Sequence, residues 1–489
     1  MSALSPIRIS TPVDEPVVVT ATAEPMRRIF ESQRATALRW RQSTAEQRIA
    51  RIRKLRDAVQ AAADEIRRAA AEDFCKPEVE VNLTELFTVI SEANMAMRKL
   101  KRWMNPTRAG FTPLMAGTQG RIEYQPRGRC LIISPWNYPV NLTFCPLVLA
   151  LAAGNTAILK PSEMTPNLSA VMQKIVDQTF APDEVALFQG DADVAKALLD
   201  LPFDHIFFTG APALGKVVMA AASKHLTSVT LELGGKSPTI VDAGADLKGA
   251  VQNICWSKFM NNGQTCIAPD HIFVHESVAD AFVEQAKARL AEVYGADEDT
   301  RLRSPDLARI VNDRHTARVK RLLDDARNRG ARILFGGEVR ENQRYIAPTL
   351  LDQVPESAAV MQEEIFGPLL PIIRFREIEE VVDRINTGEK PLALYIWTRD
   401  RGRARAILDR TSSGGACVNN TVVHALHPLL PFGGVNHSGI GSTHGEFGFR
   451  SFSHARAVAD TRIPLTQLFY PPYTERVKSL IRLVMRWFA

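Results

Sequence analysis

Cysteine is scarce in this chain: 489 residues include six, and no two of them form a Cys-x-x-Cys pair. Without such pairs a zinc or iron–sulfur site is not expected, so we predict that the protein holds no metal. Four of the six lie in apolar surroundings, which is typical of small core residues. So sparse a set indicates a reducing compartment rather than a disulfide-bonded secreted protein.

Long apolar runs are also missing. None reaches the roughly 20 residues that span a bilayer, and no signal peptide opens the chain. We therefore expect a cytoplasmic protein that meets a membrane at most at its surface. The net charge is +6, and part of the excess lies between Arg27 and Arg68. Because Ala, Leu and Ile recur there at helical spacing, we interpret these arginines as the solvated face of helices and expect no nucleic-acid partner.

What is present predicts an α/β fold. Residues 1–25 contain four prolines and predict an extended leader, and helix-forming sequence follows over 26–101. The segment GTQGRIEYQPRGRCLIIS predicts a hairpin that feeds a strand. The order of strands and helices after it predicts a parallel sheet with ligand sites at the carboxyl ends of its strands. The predicted strands are Cys130–Ile133, Thr156–Leu159, Glu184–Leu187, His205–Phe208 and Val229–Leu231, with a helix at Asn167–Phe180. A second α/β unit is predicted from Gly235 to about Asn436.

Three segments contain side chains suited to acyl chemistry. NNGQTCIAPD places Cys266 in a turn-like stretch, and a thiol can attack an aldehyde carbon, although a lone cysteine is more often a buried core residue. LELGGKSP places Glu232 at the end of an apolar strand, where a carboxylate can act as a general base or can cap the next helix. ISPWNYP places Asn137 between two prolines, where its amide can donate to an oxyanion or can simply belong to a turn.

Two further segments suit a dinucleotide. ILKPSE places Lys160 and Glu163 just past a predicted strand, where a cation and a carboxylate can hold ribose hydroxyls. FFTGAPALGK follows another strand and opens a helix. Gly210 and Gly215 there allow a close backbone approach, and a helix N-terminus favours a pyrophosphate. The usual G-x-G-x-x-G pattern is absent.

Taken together, the ordered motifs SPWNYP, LKPSE, FTGxxxxGK, ELGGKSP, NNGQTC, EEIFGP and PFGGV are specific. The chain resembles the aldehyde dehydrogenase superfamily, and within it the class 3 branch, over about Met26 to Tyr473. The resemblance implies NAD(P)-dependent oxidation of an aliphatic or aromatic aldehyde to the carboxylic acid. It also implies a homodimer with NAD as the cofactor, or NADP in its place. We expect NAD to be preferred, because Glu163 would repel a 2′-phosphate.

The resemblance also implies a role for each matched residue. Cys266 corresponds to the nucleophile that forms a thioester, Glu232 to the base that activates the hydrolytic water, and Asn137 to the oxyanion-hole amide. The cofactor positions follow the same correspondence, with Glu364 at the nicotinamide ribose and Phe366 beside the nicotinamide. The full cofactor set is Pro135, Trp136, Lys160, Glu163, Gly210, Gly215, Glu364 and Phe366.

In domain terms, the resemblance implies a Rossmann-like NAD-binding domain over 26–106 and 125–235 and a catalytic domain over 236–438. A small β bridging domain for oligomerisation would comprise 107–124 and 439–470, and an amphipathic tail would occupy 471–489. One departure from the family pattern is Asn436, which replaces the usual glycine after PFGGV. Asparagine tolerates positive φ, so the turn is expected to persist. The unusual HALHPLL before it is expected to border the substrate entrance, with His424 and His427 in structural roles.

Other functions are weighed against this one. A CoA-acylating dehydrogenase is disfavoured by Glu232. A cofactor-free cysteine hydrolase is disfavoured because the site motifs contain no histidine, and a non-catalytic relative is disfavoured because Cys266, Glu232 and Asn137 are all retained.

In the tail, apolar residues from Val477 to Phe488 share one helical face at about 100° per residue. That helix is predicted either to lie in a membrane interface or to pack on the protein.

Overall fold

The protein is described here by a computed structural model that covers residues 23–112 and 115–488. Most of the predicted leader therefore lies outside the described residues. The first helix already begins at Ala23, a little before the predicted start at Met26. The predicted helical region after it is confirmed, since helices occupy most of the chain from there to Trp103.

Nineteen α-helices occur among the described residues. Short π and 3-10 turns at Asn82–Leu86, Met260–Gly263, Glu341–Gln343 and Leu465–Phe469 adjoin them. In chain order the helices are α1 Ala23–Arg41, α2 Ala45–Ala61, α3 Ala63–Phe74, α4 Glu78–Val81, α5 Phe87–Trp103, α6 Pro139–Ala153, α7 Pro166–Thr179, α8 Ala192–Leu199, α9 Pro212–Ser223, α10 Leu247–Phe259, α11 Glu276–Tyr294, α12 Glu298–Leu302, α13 Asp313–Asn328, α14 Ala359–Gln362, α15 Ile378–Thr387, α16 Arg401–Arg410, α17 Val423–Leu426, α18 Gly445–Ser451 and α19 Glu475–Phe488.

Eighteen strands are found in the same described ranges. They are β1 Thr107–Arg108, β2 Thr118–Pro126, β3 Arg129–Ile133, β4 Thr156–Lys160, β5 Val185–Leu187, β6 His205–Thr209, β7 Ser228–Glu232, β8 Pro238–Val241, β9 His271–His275, β10 Arg332–Phe335, β11 Val339–Arg340, β12 Tyr345–Ile346, β13 Thr349–Asp352, β14 Leu369–Phe375, β15 Ala393–Trp397, β16 Gly415–Val418, β17 Gly439–Ile440 and β18 Ser453–Thr461. All five strands predicted between Cys130 and Leu231 are confirmed, with ends shifted by a residue or two.

A six-stranded sheet holds those five strands in the order β17-β7-β6-β3-β4-β5. All neighbours are parallel except β17, which runs antiparallel to β7. Strands such as β4 and β6 are buried along their whole length, because helices cover both faces of a parallel sheet. Their carboxyl ends meet at one edge, where Asn137, Lys160, Gly210 and Glu232 follow or end four neighbouring strands.

A seven-stranded sheet forms the second unit, in the order β10-β13-β14-β9-β8-β15-β16. It is parallel apart from the edge pair of β10 and β13. Cys266 lies just before β9, Lys236 just before β8 and Glu364 shortly before β14. This sheet therefore presents the amino ends of its strands to the region that the first sheet reaches with its carboxyl ends. The sequence predicted a ligand site at the carboxyl ends of parallel strands. This applies to the six-stranded sheet but not to the seven-stranded sheet, whose strands meet the same region with their amino ends.

A third sheet is small and antiparallel, with β2 between β1 and β18. The hairpin predicted within GTQGRIEYQPRGRCLIIS is therefore wrong, because β2 pairs with β1 and β18, but the strand that it was expected to feed is confirmed as β3. The backbone turns at Gly128, where φ is 139° and an added Cβ would collide with Asp204, so the chain leaves one sheet and enters another. Gly439–Ile440, placed by the sequence in the bridging segment, instead forms β17 of the six-stranded sheet. The remaining domain boundaries stay a prediction.

Among the residues described, no helix combines the length and the apolar character that crossing a membrane requires.

Candidate active site

A cavity of about 1620 Å³ lies between the carboxyl edge of the six-stranded sheet and the amino edge of the seven-stranded one. The three predicted catalytic residues Cys266, Glu232 and Asn137 all line it. So do five of the predicted cofactor residues, namely Pro135, Trp136, Gly210, Glu364 and Phe366. The fold thus brings together in one space residues that the sequence separates by more than two hundred positions.

Cys266 is presented by a strained turn. Asn261, Asn262 and Gly263 are consecutive residues with φ of 51°, 52° and 75°, a left-handed conformation that asparagine and glycine tolerate best. A Cβ on Gly263 would collide with a backbone carbonyl. The Gln264 side chain then fixes the loop, because its Nε2 donates to Asn261 O at 3.0 Å and its Oε1 accepts from Val311 N at 2.9 Å. The turn places Cys266, a partly buried residue, on the cavity wall.

Asn137 lies against this same loop. Its Nδ2 donates to Gln264 O at 3.0 Å, and its own carbonyl accepts from Asn261 Nδ2 at 2.9 Å. The residue is 2% exposed. Because Nδ2 has two hydrogens and this one hydrogen bond engages one of them, the amide retains an N–H beside the loop that presents Cys266.

Glu232, the last residue of β7, is 3% exposed, and both of its carboxylate oxygens are buried without a hydrogen-bond partner among the described residues. Burial raises the pKa of its carboxyl well above the usual range. A buried carboxyl that is not hydrogen-bonded is costly and is characteristic of sites that transfer protons.

The electrostatics at Cys266 oppose a resting thiolate. Burial, followed by the carboxylates of Glu364 and Glu232, raises the pKa of the thiol to about 12. The backbone N–H groups of Cys266 and Ile267 act in the opposite sense. Because the thiolate is the nucleophile, attack from this arrangement requires a nearby group that takes the proton.

The EEIFGP segment approaches from the opposite wall. Glu364 extends over Gly234, where a Cβ would collide with its carboxylate. Its Oε1 is buried without a partner in the described structure, and burial raises its pKa to about 7. The Phe366 ring lies edge-on to Trp136, with centroids 5.3 Å apart. An unpaired acceptor beside aromatic rings suits a ribose hydroxyl and a planar heterocycle.

The other predicted cofactor residues lie on the side of the six-stranded sheet. Gly210 follows β6, and its N–H donates to Glu232 O at 3.0 Å. Gly215 lies in the first turns of α9, where a Cβ would be 2.8 Å from Leu233. Lys160 Nζ and Glu163 Oε2 are 3.2 Å apart at the end of β4. These last two do not line the cavity, but Ser134 N donates to Lys160 O next to Pro135, which does. The set fits a dinucleotide extended along the edge of the sheet.

Sequence reasoning missed the ion pair that anchors the EEIFGP segment to the amino ends of two strands in the seven-stranded sheet. Lys236 Nζ lies 2.6 Å from Asp270 Oδ2 and donates to the carbonyls of Val360 and Glu363, each at 2.9 Å. Asp270 Oδ1 accepts from Ile365 N at 2.9 Å. Burial acts to raise the pKa of Asp270, but Lys236 and then His271 hold it well below its usual range. Both residues lie inside motifs given above, Lys236 in ELGGKSP and Asp270 in NNGQTCIAPD, so the sequence did contain a signal for them.

Arg318 is a second missed residue, and it supports the same segment. Its guanidinium donates to Glu364 O at 3.1 Å and to Ile365 O at 2.5 Å. Arg318 comes from α13, remote in sequence from every quoted motif, so no local pattern pointed to it.

The departures predicted near PFGGV are visible in the structure. Asn436 adopts φ of 54°, as expected for an asparagine in place of glycine, and its Oδ1 accepts from Lys390 Nζ at 2.8 Å. The HALHPLL segment contributes Ala425 and Leu426 to the cavity wall. His424 does not line the cavity; its Nδ1 lies 3.3 Å from Cys417 Sγ.

Comparison with known proteins places the chain in a family. The aldehyde dehydrogenase family model matches residues 4–458. The chain is 42% identical over 432 residues to 4,4'-diaponeurosporen-aldehyde dehydrogenase of Staphylococcus aureus, a match that covers 88% of this chain and 92% of that protein. It is 41% identical over 453 residues to aldehyde dehydrogenase family 3 member A2 of Rattus norvegicus, covering 92% and 90%.

A solved structure agrees. The substrate-bound state of Staphylococcus aureus AldH superposes with a TM-score of 0.89 at 38% identity, covering 94% of this chain and 99% of that one. The chain belongs to the aldehyde dehydrogenase family. It is an oxidoreductase that acts on aldehydes with NAD(P), which confirms the fold, the family and the activity expected from the sequence.

Proposed function

We propose that this protein oxidises an aliphatic or aromatic aldehyde to its carboxylic acid through a thioester on Cys266, with Asn137 as the oxyanion donor and Glu232 as the base. The observation that supports this most directly is the meeting of these three side chains in one cavity, with both oxygens of Glu232 unpartnered. Because burial raises the pKa of this carboxyl, its ionised form is a stronger base than an ordinary carboxylate and can accept a proton from the thiol and later from water.

The first half-reaction begins with proton removal. Glu232 takes the proton of the Cys266 thiol, whose pKa of about 12 leaves little thiolate at neutral pH. The sulfur bonds to the aldehyde carbon, and the carbonyl oxygen becomes an oxyanion. The free N–H of Asn137 and the backbone N–H of Cys266 stabilise that charge, a contribution that is large because the donors are already in place.

The cofactor supplies the hydride acceptor that converts the tetrahedral adduct to a thioester. The residues that would hold it are the start of α9 after Gly210, Glu364 and Phe366, with Lys160 and Glu163 at the adenosine end. Glu232 first releases the thiol proton to solvent. Water then attacks the thioester carbon while Glu232 accepts its proton, the C–S bond breaks to release the acid, and the departing thiolate takes that proton to restore the Cys266 thiol.

NAD is proposed as the preferred cofactor. Glu163 is half exposed and ion-paired to Lys160, so its carboxylate is free to accept from ribose hydroxyls while it disfavours a 2′-phosphate. Comparing kcat/KM with NAD and with NADP tests this, and a strong NADP preference would contradict it.

Dimerisation and membrane contact are proposed at two different surfaces. β18 is an edge strand of nine residues in the small sheet, and an open edge can pair with a second copy, which supports a homodimer. In α19, Ile481 and Met485 are exposed on one face, and Lys478 and Arg482 are exposed on another, which supports peripheral contact of a basic amphipathic helix with a lipid surface.

A kinetic panel tests the central proposal. Matched aliphatic and aromatic aldehydes are assayed for NADH formation with the wild-type protein and with Cys266→Ser, which keeps the shape of the site but removes the thiol. Turnover is expected in the first and a near-complete loss in the second, with NAD binding intact by fluorescence titration. More than a few per cent residual turnover would place the nucleophile elsewhere.

A further inference from the structure

The aldehyde side of the cavity, away from the cofactor residues, has mostly apolar walls. Cys266 packs against a cluster that contains Val422 and Phe432. Leu142, Met260 and Leu426 line the cavity with them. Such walls suit the hydrocarbon body of an aldehyde, although polar side chains such as Thr88, Ser91 and Asn141 line the same cavity.

Glu92 on α5 interrupts this apolar lining. It lines the cavity, is 8% exposed, and its Oε1 accepts from Gly445 N at 3.0 Å. No cation in the described part of the chain lies within ion-pair distance of it, and burial raises its pKa to about 7. A buried carboxyl with a single donor is incompletely hydrogen-bonded, so its second oxygen remains able to accept from a ligand.

A second polar group stands close by along the chain. Thr443 is joined to Phe432 by two backbone hydrogen bonds, of 3.2 and 2.7 Å, and it is followed two residues later by Gly445, the donor to Glu92. Thr443 lines the same cavity, and its Oγ1 is buried without a partner among the described residues. The backbone therefore links Phe432, which belongs to the cluster that Cys266 packs against, through Thr443 to Gly445, the donor to Glu92.

We propose that Glu92 and Thr443 form a polar subsite that selects aldehydes with a hydroxyl group on their apolar body; this inference rests on the function proposed above. A ligand hydroxyl donates to the second oxygen of Glu92 and accepts from Thr443 Oγ1, so that the unpartnered threonine hydroxyl gains an acceptor and Glu92 gains a second donor. An ammonium group fits less well, because one carboxylate in an apolar cavity gives it few partners for the cost of desolvation.

The experiment compares pairs of aldehydes that differ only in one hydroxyl, in both an aliphatic length series and an aromatic set. The ratio of kcat/KM, hydroxylated over unsubstituted, is measured in the wild type, in Glu92→Leu and in Thr443→Val. At the best-fitting length the ratio is expected to exceed one in the wild type and to fall about 10- to 100-fold in Glu92→Leu, as loss of a hydrogen bond to a charged group implies. Thr443→Val lowers it less.

A matched control is Glu446→Leu. It removes a carboxylate close in sequence to Thr443 and Gly445, but not from the cavity wall, since Glu446 pairs with Arg450 at the surface. Its ratio is expected to equal the wild-type ratio. If Glu92→Leu fails to fold, Glu92→Gln keeps an acceptor for Gly445 N and still lowers the ratio. A wild-type ratio of one at every length, a ratio unchanged by the Glu92 and Thr443 variants, or a preference for the amino analogues overturns the proposal.

A second measurement separates this inference from the proposed function. Calorimetric titration with the matched product acids reports binding without catalysis, and the same hydroxyl preference and the same losses are expected there. Efficient oxidation of unsubstituted aldehydes with no hydroxyl preference would overturn the subsite and leave the function standing. A hydroxyl preference in binding without aldehyde oxidation would leave the subsite standing and overturn the proposed function.

Discussion

Replacing Lys236 with methionine is expected to destabilise the protein and to weaken cofactor binding. Methionine keeps the length of the side chain but removes all three of its hydrogen bonds, to Asp270 and to the carbonyls of Val360 and Glu363. Asp270 is almost fully buried, so its charge would lose its main partner. Breaking a buried ion pair in this way costs about 3–5 kcal/mol. Because Asp270 also holds Ile365 N, the loop that contains Glu364 should loosen and KM for NAD should rise.

Lys224→Met is the matched control. Lys224 pairs with Asp200 at 3.1 Å, but the two side chains are 60% and 52% exposed, so this loss should cost less than about 1 kcal/mol. Urea denaturation followed by intrinsic fluorescence, together with NAD titration, measures both effects. Equal midpoints for the two variants, or an unchanged KM for NAD in Lys236→Met, would refute the reasoning.

The pH dependence of the same pair has a definite sign. Lys236 lowers the folded-state pKa of Asp270 below its unfolded value of about 3.9. The stability this provides is therefore present above that unfolded value and is lost as pH falls through the folded value. Acid unfolding of Lys236→Met should begin at a higher pH than that of the wild type, and coincident acid transitions would contradict the assignment.

Three further predictions follow from the site and the surface. Asn137→Ala should lower kcat by on the order of 10²–10³, measured with saturating NAD, and an unchanged rate would remove Asn137 from the oxyanion hole. Glu163→Gln should raise kcat/KM with NADP relative to NAD, because it removes the charge that repels a 2′-phosphate; an unaltered ratio would leave the preference to other residues. Truncation before Arg476 should reduce flotation with anionic liposomes, whereas equal flotation of both proteins would exclude a membrane role for α19.

Much of the first sheet followed from sequence because its strands are short apolar runs between glycine, proline and polar residues. Thr156–Lys160 and His205–Thr209 are buried along their whole length, so their pattern is local. The antiparallel sheet did not follow, because β2 pairs with β18, which lies far along the chain. The sequence predicted a hairpin within the local segment instead. Hydrophobic periodicity shows where a strand lies but cannot show that its partner is β18.

The residues of the active site could likewise be predicted only in part. Cys266, Glu232 and Asn137 stand in dense motifs and were found, but their geometry depends on two sheets meeting with opposite strand ends. Lys236 and Asp270 act on a distant loop through buried hydrogen bonds, and Arg318 comes from a helix outside every motif. Glu92 lies on an ordinary amphipathic helix, and only the cavity shows that its carboxyl faces a ligand space.

The most direct test of the central claim separates the two half-reactions in Glu232→Gln. Glutamine keeps the size of the side chain but cannot take the proton from water, so the thioester on Cys266 should accumulate. Rapid mixing with aldehyde and NAD is expected to give a burst of NADH approaching one per active site, followed by very slow turnover. Because Glu232 also takes the thiol proton, the burst should be slow at neutral pH and should become faster as pH rises towards the thiol pKa of about 12. Absence of a burst at every pH, with NAD binding intact, would contradict the role of Glu232 as the base.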